Sequence, residues 1–169
     1  MPKLYILMRN DLYSLNPGKA MAQASHASSQ FLFNYYNLLN KDYDLNNQYK
    51  INQEYIENWL NEGCGFGTTL VFEGPKYLIE DFIKNEVEHN YINGTVLDET
   101  YPFLGQKELL DLLSYDELAN LGIEFDKSVS ADKYGMIKCT RPEITCYWFF
   151  VTDDELELPL SSYCIELHR

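Results

Sequence analysis

"KLYILMRNDLYSLNPGKAMAQASHASSQF", Lys3 to Phe31, reads as a strand, a connection and a helix. Its first part, "KLYILMR", is an unbroken apolar run bounded by charges. Such a run suits a strand buried on both faces, as in a parallel sheet. At Asn16–Pro17 the pattern changes. Pro17 lacks the N–H that a first helical residue could not pair anyway, and Asn16 can accept from the first free amides. The spacing therefore predicts a helix from Pro17 to about Leu39. Met21, Ala24, Ser28, Phe31, Tyr35 and Leu38 step by three and four along one buried face. Lys19, Gln23, His26 and Gln30 step along a different face and present a cation, two amides and an imidazole. Lys19 falls in the first helical turn, where the macrodipole disfavours a cation. A charge kept there points to a use.

The flanking chain alternates strands and helices. Residues 40–52 read as a polar loop. "NQEYIENWLNEG" predicts a helix with Asn52 as N-cap, Gly63 past its end, and Tyr55, Ile56, Trp59 and Leu60 on its apolar face. "GTTLVFEG" is a strand ended by Gly74–Pro75, and "KYLIEDFIKNEVEH" a helix burying Leu78, Ile79, Phe82 and Ile83. A short strand, Thr95 to Leu97, leads to Asp98. Residues 104–142 hold two short helices, with Ser114 and Glu117 as a capping box and Gly122 as a stop. "ITCYWFFV" resumes the sheet, Thr152 and Glu155 form a second capping box, and "SYCIELHR" is a last strand. "GCGFG" (Gly63 to Gly67) follows a helix and precedes a strand, the wrong order for a phosphate cradle. The expected fold is one α/β domain over 1–169. Its sheet is mixed, mainly parallel and four- to five-stranded, with helices on both faces and an inserted helical segment at about 104–142.

The chain has 169 residues, 46% of them hydrophobic, enough for a real core. No apolar run reaches the length of about 18 residues that a membrane span needs. The N-terminal apolar stretch is too short for a secretory signal and is closed by charges, so a cytoplasmic location is expected. Cys64, Cys139, Cys146 and Cys164 form no CxxC pair and no metal spacing. They read as reduced packing residues, with no metal and no cofactor expected. The net charge of −13 argues against a non-specific nucleic-acid binder. Residues 1–50 nevertheless carry five basic against three acidic residues. A local basic face near Lys3, Arg9, Lys19 and Lys50 fits that imbalance.

The opening stretch resembles the type-2 peptidyl-tRNA hydrolases, the archaeal and eukaryotic type. Their pattern is an apolar strand, Arg-x-Asp-Leu, a loop, then Gly-Lys-x-x-Ala-Gln-x-x-His-Ala. Here it is carried by Arg9, Asp11, Leu12, Gly18, Lys19, Ala22, Gln23, His26 and Ala27. The family next has a strand ending in Asp-Ala-Gly-x-Thr and, further on, Pro-Gly-Thr-x-Thr. "VLDETYP" matches with Asp98, has Thr100 in place of the glycine and Pro102 in place of the threonine. Thr145, before "CYWFFV", matches the last threonine.

The resemblance implies cleavage of the ester between a peptide and the 3′ end of tRNA, with peptidyl-tRNA as partner. In such acyl transfer to water the carbonyl oxygen gains charge and needs positive partners. The resemblance implies Lys19, Asp98 and Thr145 as catalytic residues, and Arg9, Asp11, Gln23, His26 and Thr100 as substrate-binding ones. Lys19 holds either the oxyanion or a tRNA phosphate; Asp98 orients water or fixes Lys19; Thr145 or Thr100 donates a hydrogen bond. Taken alone, His26 also reads as a packing residue, Gln23 as a helix-to-loop tether, and Asp11 as a partner of Arg9 or a cap of the following turn. The alternatives are a non-catalytic protein- or tRNA-binding module on the same fold, with a protein partner at the acidic insertion 104–142, or a hydrolase of a related acyl ester. A homodimer is left open.

Overall fold

In the computed structural model, residues 1–13, 15–40, 53–62, 67–152 and 158–168 are described. The polar loop over 41–52, Lys50, the Asn52 cap, the Gly63 stop, Cys64 and the Glu155 half of the second capping box lie outside the described residues. The chain divides into two compact units, one of residues 1–96 and 145–169, the other of Leu97–Ile144.

In the first unit, β1 (Lys3–Arg9) is the middle strand of a five-stranded sheet. Helix α1 spans Pro17–Asn40 and α2 Gln53–Asn61. Strand β2 (Thr69–Gly74) precedes α3 (Lys76–Phe82), which runs on as a π-helical turn over Ile83–Val87. Strands β3 (Ile92–Gln106) and β4 (Met136–Val151) each have one part in this unit and one in the other. A 3₁₀ turn, Leu160–Tyr163, precedes β5 (Glu166–Leu167). The order is β3-β4-β1-β2-β5.

The sheet is mixed but mostly antiparallel, which corrects the expectation of a mainly parallel one. Only β1 and β2 run parallel; β4 lies antiparallel to β1, and β5 to β2. The apolar run at Lys3–Arg9 was a sound sign of burial on both faces but not of strand direction. A middle strand covered by helices on both sides is as apolar with an antiparallel neighbour as with a parallel one.

Alternation along the strands sorts the two faces. Leu4, Ile6 and Met8 of β1 and Cys146, Trp148 and Phe150 of β4 form one core with Ala20, Ala27, Phe31 and Tyr35 of α1 and Ile56 and Trp59 of α2. Phe31 is its hub, stacked on Phe150 at 4.9 Å and edge-on to Trp59 at 5.4 Å and Trp148 at 5.6 Å. On the other face Tyr5 stacks on Phe149, and Phe82 of α3 packs against the same ring. Helices therefore cover both faces, as expected.

The buried stripe of α1 is rotated from the expected one. Phe31 and Tyr35 are buried as expected, but Met21 is 74% exposed, Ala24 and Ser28 are half-buried, and Ala20, Gln23 and Ala27 are buried instead. The small Ala20 and Ala27 let the helix backbone approach the sheet, and the face that does so takes Gln23 with it. Gly67 fixes the entry to β2. It has φ +65°, and a Cβ there would stand 2.2 Å from the Trp59 ring. Trp59 Nε1 donates to the Thr68 carbonyl at 2.7 Å next door.

The second unit has its own core, with Leu110, Leu118, Ile137 and Cys139 buried against Phe103, Leu113, Ile123 and Phe125. Its two short helices are α4 (Lys107–Asp111) and α5 (Tyr115–Asn120). The Ser114–Glu117 capping box forms in both directions. The short strand expected at Thr95 to Leu97 is instead part of the much longer β3. No helix among the described residues is long and apolar enough to cross a membrane.

Candidate functional site

The parallel pairing of β1 and β2 sets Arg9 opposite Gly74, so the chain leaves both strands on the same side of the sheet. Ligand sites of α/β sheets gather at such carboxyl ends. Arg9 is only 5% exposed, and its guanidinium grips Asp11 through two bonds, Nε to Oδ1 at 3.0 Å and Nη2 to Oδ2 at 2.9 Å. Asp11 Oδ1 also accepts from the main-chain N–H of Lys76 at 3.2 Å. Lys76 opens α3, where that N–H has no partner within the helix. Asp11 thus pairs with Arg9 and caps a distant helix, joining the exit of β1 to the start of α3. Burial alone would raise its carboxyl. The hydrogen bonds and charge of Arg9, with the N–H groups of Asp11 itself and Lys76, outweigh burial and hold it below the ordinary value.

Helix α1 starts as its sequence dictates. Asn16 Oδ1 accepts from the Lys19 N–H at 3.0 Å, and the Asn16 carbonyl takes the first helical bond, from Ala20 at 2.9 Å. Lys19 is therefore the third helical residue, half-buried in the first turn. One turn on, Gln23 points into the core. The hydroxyl of fully buried Thr145 on β4 donates to Gln23 Oε1 at 2.8 Å, with the Val96 carbonyl as a second acceptor at 3.2 Å. The Cys146 thiol lies 3.6 Å from the Gln23 carbonyl, and burial pushes that thiol up to about 12. Two turns further, Gln30 Oε1 accepts from the Trp148 indole N–H at 2.6 Å. Gln23 and Gln30 together pin α1 to β4 and so fix the height at which Lys19 stands. His26 is on the exposed side of the helix.

Asp98 and Thr100 belong to the second unit, on β3. There the Thr100 N–H donates to Asp98 Oδ1 at 3.1 Å, with its hydroxyl at 3.5 Å. Asp98 is half-buried and Thr100 exposed. The structure thus brings Arg9 to Asp11, Gln23 to Thr145, and Thr100 to Asp98. It gives Thr145 no exposed surface, and the Thr145 hydroxyl is bonded to the first helix through Gln23. Sequence reasoning missed three partners: the Lys76 N–H, the Val96 carbonyl and the Trp148 indole. The first two are main-chain atoms, and all three lie 49 or more residues from the side chains they bind.

Among the described residues no group of three or more His, Cys, Asp or Glu is placed to hold a metal ion. A shallow cleft lined by Met1, Pro2, Tyr55, Asn58 and Glu62 opens beside the N-terminal end of β1. None of the site residues lines it. No curated protein sequence matches the chain. The family model described as peptidyl-tRNA hydrolase PTH2 matches residues 2–93, from β1 to the start of β3.

Proposed function

The chain belongs to the peptidyl-tRNA hydrolase PTH2 family, and on that footing we propose that it hydrolyses the ester linking peptide to tRNA in peptidyl-tRNA. The observation that carries this reading is that the family match spans β1 and α1 whole, with Lys19 inside it at the helix start. Water attacks the ester carbonyl carbon, the carbon–oxygen bond to the ribose breaks, and the ribose oxygen takes up a proton. The carbonyl oxygen carries negative charge in between. Lys19 supplies the countercharge, an effect typically worth about 10²–10³ in rate. Arg9 and Asp11 hold the strand end and α3 in place, and Thr145, through Gln23, holds α1. Asp98 and Thr100 are proposed as a water-orienting carboxylate and its hydrogen-bond partner. His26, exposed on α1, is proposed to meet the substrate. A cytoplasmic location accompanies a role in translation.

Single-turnover release of the acyl group from N-blocked aminoacyl-tRNA tests the reading. The parent should release it, and Asp98→Asn, which keeps the shape and loses the charge, should be slower by on the order of 100-fold. RNA binding without release by the parent would favour a non-catalytic module.

A further inference from the structure

Helix α1 differs from the other α-helices in charge. Over Pro17–Asn40 its one charged residue is Lys19, whereas α2, α3, α4 and α5, each of nine residues or fewer, carry two or three. In a chain with 26 acidic residues, the solvent side of a long helix would ordinarily hold several. Along that side Lys19, Ala22, His26, Ser29 and Phe33 step by three, four, three and four, the spacing of a single helix face. Lys19 is half-buried and the other four are exposed.

Phe33 closes this line with its ring 65% exposed, while Phe31, two residues before it, is the buried hub of the core. The fourteen positions from Lys19 to Phe33 span about 21 Å of helix, the reach of an extended peptide of about six residues. Beyond Lys19 the line offers no cation, so a strand of phosphates gains nothing along it. A peptide main chain carries no charge. Ala22 and Ser29 are small enough to let one lie close, and the His26 imidazole and Ser29 hydroxyl can bond its amides. The Phe33 ring then meets an apolar side chain at the far end.

We propose that this face of α1 seats the peptide part of peptidyl-tRNA, with the ester carbonyl at Lys19, and that Phe33 sets a preference for an apolar side chain about six residues from the ester. The proposal rests on the hydrolase reading, which places the ester at Lys19. It deepens that reading by naming what the enzyme holds besides the ester: a run of peptide, gripped through a neutral face and one aromatic ring.

The test uses the full chain and three N-acetylated substrates on one tRNA: a hexapeptide with leucine at the residue farthest from the ester, the same hexapeptide with serine there, and the single aminoacyl group. The parent should prefer leucine over serine by about tenfold in kcat/KM, the worth of partly burying one apolar side chain. Phe33→Ala should bring that ratio close to one, and Phe33→Leu should restore most of it. The melting temperature should hold in both variants, since the ring is exposed. A ratio near one in an active parent, or a ratio kept in Phe33→Ala, would overturn the proposal. So would an equal loss on all three substrates matched by weaker binding of deacylated tRNA, which would assign the ring to stacking on a base. A dimeric parent that Phe33→Ala dissociates in sedimentation would give the face to a second copy and overturn it too. If the parent proves inactive, Kd for the same three substrates decides: a leucine preference lost in Phe33→Ala would leave the peptide seat standing and count against hydrolysis alone, and equal Kd values would end both.

Discussion

The Thr145 hydroxyl and the Gln23 amide form a polar pair within an apolar core, and their worth shows when one is removed. Thr145→Val keeps the shape and strands the Gln23 amide, a loss of about 1–3 kcal/mol of stability. Thr145→Ser should recover most of it, as read by urea denaturation. A hydroxyl that acts only by holding α1 should also move kcat more than KM in the valine variant. Asp11 gives a pH signature. Its carboxyl titrates below the ordinary value of 3.8 when folded. A depressed folded value means its contribution is complete above that ordinary value and is lost as pH falls below it, through the folded value. Asp11→Asn should therefore show a shallower fall of melting temperature between about pH 4 and pH 2 than the parent. Parallel curves would mean that the Arg9–Asp11 pair adds nothing that titrates.

At the scale of elements, the helix start at Pro17, the Ser114 capping box and the central place of β1 were legible because each is decided within a few residues. Caps and apolar periods act locally, and local chemistry is what a sequence displays. The direction of β4 was not legible, since nothing within "ITCYWFFV" says which way its neighbour runs. The rotation of α1 was hidden for a similar reason: Met21 is apolar enough to suggest burial, but the approach of Ala20 and Ala27 to the sheet decides the face. The site divides in the same way. The Asn16 cap of Lys19 could be read; the Gln23–Thr145 bond could not, since Gln23 reads as a tether without a stated partner, Thr145 is singled out only by the resemblance, and 122 positions separate them. Close approach of β3 to the core makes one more prediction. A Cβ on Gly94 would stand 2.5 Å from the Trp148 ring, which is fully buried and bonded to Gln30. Gly94→Ala should cost about 1–3 kcal/mol through overpacking, and an unchanged denaturation midpoint would show that the ring has room to yield.

Across the whole molecule the acid excess is not spread evenly. Residues 51–103 carry ten acidic and two basic residues, whereas 104–142 carry seven and five. The segment expected to be an acidic insertion is close to balanced, and the repulsion a polyanion meets comes mainly from elsewhere. Such a chain gains little from non-specific attraction to RNA, so its activity must depend on a few placed cations. Lys19 is the one on which the account turns. Placed in the first turn of α1, it opposes the macrodipole by a few tenths of a kcal/mol, so its removal should not lower the melting temperature. The direct measurement is single-turnover peptide release from peptidyl-tRNA by the parent and by Lys19→Ala, with both melted in parallel. The account predicts a loss of about 100-fold or more in rate with the fold intact; equal rates in the two proteins would contradict it.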